Sequence, residues 1–247
     1  MHKILTKKIQ FLLALALICK AGAAFAIDTI YSPNVNKGEL ELEYLGSTTL
    51  DNQHSKNNLQ AHELEIEYGL TDRLKLKTSG SFDKYADENI RLHAVEFGGI
   101  YQIYEQGKQE VDSGILVSYA LAPVNSEADA LEVKLLLEKE WGKSLHRANI
   151  GLEQEVGKNA SGGPAPSLLW SSRYRFNEAF EPAFEIQSDF GKISDHAGIS
   201  GQEHYLGPAA YGEIVPHVKY EAAYLFGLTD ASANGALRAK IEYELNF

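Results

Sequence analysis

The chain has 247 residues, a formal net charge of −11, 44% hydrophobic residues and a single cysteine. The acidic balance argues against nucleic acid as a partner, because phosphate binding needs an excess of Lys and Arg. One cysteine builds no internal disulfide, and beyond the first 26 residues no run of ~18 apolar residues offers a membrane-spanning helix.

Residues 1–26 read as an export signal. Lys3, Lys7 and Lys8 give a positive start, "IQFLLALALI" a short apolar stretch, and "AFA" a small-x-small cleavage site ending at Ala26. Ile18 stands before Cys19 where lipid attachment wants a small residue, which argues against a lipoprotein. Residues 27–38, "IDTIYSPNVNKG", are too few for a plug domain. They read as a periplasmic N-terminal segment, either folded into the periplasmic mouth or extended. Residues 39–247 read as one domain.

Within that domain, side chains alternate with period two, the repeat of a strand with two unlike faces. "ELELEY" sets Leu40, Leu42 and Tyr44 against Glu39, Glu41 and Glu43. "ELEIEYGL" sets Leu64, Ile66 and Tyr68 against Glu63, Glu65 and Glu67, and "LKLKTSGSF" sets Leu74 and Leu76 against Lys75 and Lys77. "VEFGGIYQI", "GILVSYAL" and "LEVKLLLEKEW" follow, then "RANIGLEQEVG", "LWSSRYRF" and "PAFEIQSDF". "HYLGPAAYGEI" is weakly patterned, and Pro208 marks an irregular strand or a bulge. "VKYEAAYLF" and the terminal "KIEYELNF" complete about twelve strands.

The connections alternate in kind. "DNQHSKNN", "DKYADEN", "PVNSEAD", "GKNASGGPAP", "KISDHAGISGQ" and "TDASANG" are the long set, while "TDR", "EQGKQ", "GKS" and "NEA" are tight turns. Long loops at one end and short turns at the other characterise outer-membrane barrels. A secreted sandwich also alternates, but aromatic residues recur near the strand ends here: Tyr44, Tyr68, Tyr101, Trp141, Trp170, Tyr224 and Phe247. Girdles of this kind mark the two lipid interfaces. The expected fold is therefore all-β, a closed antiparallel up-and-down transmembrane barrel. Its expected place is the outer membrane of a Gram-negative bacterium, with the lipid bilayer as partner.

The end of the chain resembles the recognition signal of outer-membrane proteins, with Tyr243, Leu245 and Phe247 in its positions. That resemblance implies the barrel-assembly machinery as a further partner. The phrases "YSPNVNKGELELEY", "EYGLTDRLKL", "DALEVKLLLEKEWG", "HYLGPAAYGE" and "YLFGLTD" resemble Gram-negative outer-membrane barrels related to the transporters of the phenol-degradation MetA type. The likeness runs over most of residues 27–247 and implies location and shape more than a substrate.

Facing inward, the polar positions would line the lumen: Glu65, Glu67, Lys75, Lys77, Glu132, Lys134, Arg173, Arg175, Glu185, Asp189, Lys219, Lys240, Glu242 and Glu244. Across the "TDR" turn, Glu67 falls opposite Lys77. Such charges either line a narrow pore, with excess Glu favouring cations, or zip into a salt-bridged plug. The leading expectation is a narrow channel for small polar or charged solutes. The alternatives are a closed structural or surface-interaction barrel and, third, an outer-membrane enzyme. No catalytic, cofactor or metal site is expected: the His spacing suits no metal, and Glu is too abundant for any pair to be informative. His146 and Ser172 share the lipid face. Counting back from "GKNASGGPAP" sets Ser172 near Leu152, roughly 20 Å from His146 and beyond hydrogen-bond reach.

Overall fold

In a computed structural model of the chain, residues 28–123, 127–196 and 198–247 are described. The expected export signal, residues 1–26, lies outside them. Twelve strands follow in order: β1 (Glu39–Leu50), β2 (Gln60–Gly69), β3 (Leu74–Lys84), β4 (Arg91–Gln102), β5 (Asp112–Leu121), β6 (Asp129–Trp141), β7 (Ser144–Val156), β8 (Ala165–Tyr174), β9 (Glu181–Asp189), β10 (Glu203–Val215), β11 (Val218–Gly227) and β12 (Gly235–Asn246). Each pairs antiparallel with its chain neighbours, and β1 also pairs with β12, so the sheet closes on itself. The closing seam runs from Glu39 opposite Asn246 to Leu50 opposite Gly235.

Alternation becomes two surfaces. Outward stand Leu42, Leu64, Ile66, Phe97, Val133, Ile150, Leu237 and Ile241, all exposed, with Leu64 at 58%. Inward stand Glu41, Glu65, Lys77, Lys134, Glu185 and Lys240, all buried. A soluble sheet would cover its apolar face, since each Å² of apolar surface withdrawn from water is worth about 25 cal/mol. This barrel instead presents that face outward and leaves no strand edge unpaired. In hydrocarbon every backbone polar group must find a partner within the structure, which a closed barrel provides. The strands run 9 to 13 residues, long enough to cross a tilted bilayer span. The molecule is a transmembrane β-barrel.

The long connections 51–59, 85–90, 122–128, 157–164, 190–202 and 228–234 share one end, and 70–73, 142–143, 175–180 and 216–217 share the other. The connection at 103–111 exceeds the tight turn expected of "EQGKQ": it spans nine residues, with Gly107 at φ +69 and its N–H donating to Asp112 Oδ1 at 2.7 Å. Pro208 sits within a continuous β10, where it faces Phe184 of β9. Gly207 and Pro208 have no paired residue on β11, as a residue with no N–H to donate allows, but the register runs on unchanged from Leu206–Phe226 to Ala209–Ala223; the shift in this strand pair lies at Glu213/Val215.

Candidate functional site: the filled lumen

Residues 28–38 do not stay at the mouth. They turn inward and run through the lumen, deeper than a segment resting at the mouth and unlike one left extended. Gly38 makes the turn at φ +80, a conformation that glycine adopts without strain, and a Cβ there would lie 2.7 Å from Phe247 O. Its N–H donates to Gly69 O at 2.8 Å, and its carbonyl accepts from Phe247 N–H at 3.0 Å.

Beyond the turn, the segment is held by side chains of the wall. Asn149 brackets Tyr31: its Oδ1 accepts the Tyr31 N–H at 2.7 Å and its Nδ2 donates to the Tyr31 carbonyl at 3.0 Å. Gln102 accepts the Val35 N–H at 3.1 Å, and Gln187 accepts the Asp28 N–H at 3.0 Å. All three amides are buried, Asn149 and Gln187 completely. Amides that meet main-chain N–H and C=O groups do for an extended chain what a neighbouring strand would do. Ser32 and Asn34 donate to the two Glu138 oxygens at 3.0 and 2.9 Å, and Lys134 donates to Asp28 at 2.5 Å. Tyr31 also packs with Val35, Ile100, Leu116 and Leu136, an apolar cluster on the inner face. Lys77 Nζ stands 4.4 Å from its ring centre and donates to its hydroxyl at 2.7 Å.

Around the segment the charges form a connected network. Lys75 bonds Glu41 at 2.6 Å and Glu67 at 2.8 Å, and Lys77 bonds Glu65 at 2.7 Å and Glu96 at 3.0 Å. Lys240 reaches Glu43, Glu221 and Glu242, while Arg238 reaches Glu185 at 2.5 Å and Glu221 at 3.0 Å. Glu67 does lie opposite Lys77 in the register. The ion pairs nevertheless run diagonally, Lys75 to Glu67 and Lys77 to Glu65, because long side chains in a tilted sheet meet the neighbour two places along. Carboxylate oxygens of Glu41, Glu43 and Glu67 gather within 4.8 Å of one another, with the Lys75 ammonium bonded to two of the three. Glu67 Oε1 and Glu65 Oε1 are buried without a hydrogen-bond partner.

Of the other lumen positions expected from sequence, Lys134 and Glu185 are buried and Glu132 bonds Lys134 at 3.0 Å. Arg173 faces Glu181 at 3.4 Å and stands 5.1 Å from the Tyr211 ring. Lys219 pairs with Glu242 and Glu244 at the short-turn mouth, its side chain 46% exposed. Two positions lie at the rims of the barrel. Arg175 lies past the end of β8, in the 175–180 turn, and pairs at the rim with Glu140 at 2.5 Å, outside the lumen. Asp189 ends β9 at the long-loop rim, where it accepts the Gly191 N–H at 2.7 Å. Sequence reasoning missed Arg238, Glu221, Arg147, Glu138 and Asn149 as lumen groups. Inward phase alone would have found them, since each lies in register with a residue already assigned to that face.

His146 and Ser172 stand directly opposite each other in the β7–β8 register, not six residues apart. The offset arises because β7 continues to Val156 against β6 while β8 begins opposite Glu153. Among the described residues no hydrogen bond joins the two side chains. His146 instead stacks on Trp170, with ring centres 6.3 Å apart and 14° between planes.

No protein-family model and no curated protein matches this sequence. Solved structures do match in fold. An outer membrane channel from Pseudomonas putida F1 aligns with a TM-score of 0.64 at 11% identity, covering 89% of this chain and 100% of that one. The NanC porin aligns with a TM-score of 0.61 at 10% identity, covering 83% and 100%. The translocator domain of the autotransporter NalP from Neisseria meningitidis aligns with a TM-score of 0.51 at 9% identity, covering 86% and 90%.

Proposed function

We propose that this barrel is an outer-membrane channel for small polar or charged solutes, with a preference for cations. The observation that carries the reading is the acid-rich inner wall. Around β11, β12, β1, β2 and β3 the lumen faces carry Glu39, Glu41, Glu43, Glu65, Glu67, Glu221, Glu242 and Glu244 against Lys75, Lys77, Lys219, Arg238 and Lys240. A barrel built only for rigidity has no need of a surplus of one sign, and excess carboxylate lowers the barrier to cations in a narrow pore. The fold shared with a channel and a porin supports the same reading, as does the resemblance of several stretches to the MetA-type transporters. On this reading the exported chain is inserted by the barrel-assembly machinery through Tyr243, Leu245 and Phe247, and catalyses no reaction. Proteoliposome swelling tests it: vesicles with the protein take up small cationic and neutral solutes faster than anions of equal size. Equal rates for all three charges, at the level of empty vesicles, would refute it.

A closed structural barrel is the second reading, and the filled lumen favours it. It predicts no solute flux under any condition, including those that free the lumen.

A further inference from the structure

We propose that residues 28–37 are a displaceable plug, an intramolecular ligand whose withdrawal toward the short-turn mouth opens the lumen. This rests on the channel reading above. The segment fills the lumen without joining the sheet. Of its main-chain bonds, those deep in the lumen go to the side-chain amides of Asn149, Gln102 and Gln187, and backbone pairing is confined to its base at Asn36 and Gly38. Removing it therefore breaks no strand ladder and leaves the twelve-stranded wall closed. Its contacts are short, numerous and mostly polar, so water can replace them as the segment leaves. It joins the barrel wall at Gly38, whose φ of +80 gives the turn a residue free to change conformation. The segment contributes no strand: beside the small apolar cluster around Tyr31 and Val35, its socket is one of amides and carboxylates.

The geometry also supplies a lock. A Cβ built on Gly114 of β5 lies 3.1 Å from the Pro33 Cβ, a few tenths of an ångström inside the usual disulfide spacing. The full-length chain carrying Pro33→Cys and Gly114→Cys is recorded in planar bilayers, oxidised and then reduced, with disulfide formation checked by gel mobility. The oxidised protein is expected to be silent and the reduced protein to show openings. Asn149→Ala, which removes the two bonds on Tyr31, is expected to raise open probability roughly thirtyfold, given about 1 kcal/mol for each hydrogen bond. A second readout needs no current. With Cys19→Ser so that no other thiol competes, Pro33→Cys, at a position buried in the closed barrel, is expected to react slowly with a membrane-impermeant maleimide, and roughly thirtyfold faster once Asn149→Ala is added. Equal currents from the oxidised and reduced protein, together with a labelling rate indifferent to Asn149→Ala, would overturn the plug and leave the channel standing. Silence in every recording with labelling that does respond would keep the plug and sink the channel reading.

Discussion

Arg238 carries a heavy electrostatic demand. Its side chain is 0% exposed and divided between Glu185, also 0% exposed, and Glu221. Taking such charges out of water costs several kcal/mol per ion, and only mutual pairing recovers it. Arg238→Met leaves two carboxylates facing each other across a dry interior. The expected loss is about 3–5 kcal/mol in denaturant unfolding of the reconstituted protein. A loss near zero would mean that water reaches this layer and that the lumen wall is wet there. The same logic explains why sequence alone could not assign partners within the network. The alternation of Glu and Lys places them on one face, but which Lys bonds which Glu depends on strand tilt, and tilt moves the bonds from the facing pair Glu67–Lys77 to the diagonals.

Strands, by contrast, were legible almost completely. All but the weakly patterned β10 appear in the sequence as period-two alternation, because one face meets lipid and the other meets ions. Leu135, outward near the middle of β6 between Ile115 and Ile150, tests that division of faces. Leu135→Arg is expected to cost about 2–4 kcal/mol in lipid, the usual cost of a cation on the bilayer midplane of a barrel, whereas Arg at an exposed loop position such as Gln53 should cost close to nothing. Equal, small effects at both positions would place the apolar face in water. Two features were not legible. The β7–β8 register depends on how far β7 overruns its partner, which no local pattern reports. Residues 28–38 carry neither period, so nothing in their spacing revealed a partner. The clue that did exist was compositional: Ile30, Tyr31 and Val35 are apolar residues in a short linker, and all three prove buried.

As a whole, the molecule turns a globular protein inside out. Its greasy surface faces outward, and the place of a hydrophobic core is taken by salt bridges, amides and one threaded segment. The long-loop end is clasped rather than free: Lys56 of the first loop bonds the Asp230 carbonyl of the last, and Asp51 accepts the Asn234 N–H at 2.8 Å. On the far side, Lys192 of the 190–202 loop bonds Glu155 near the end of β7 at 2.5 Å. These links brace the mouth around its perimeter, so the segment entering from the opposite end is the part with freedom to move. What crosses the barrel when that segment is out is therefore decisive. Reversal potential across a KCl gradient, recorded on the reduced Pro33→Cys/Gly114→Cys protein, asks this directly. The acid-rich wall predicts a potential displaced toward that of potassium, and a potential at zero or displaced toward chloride would contradict it.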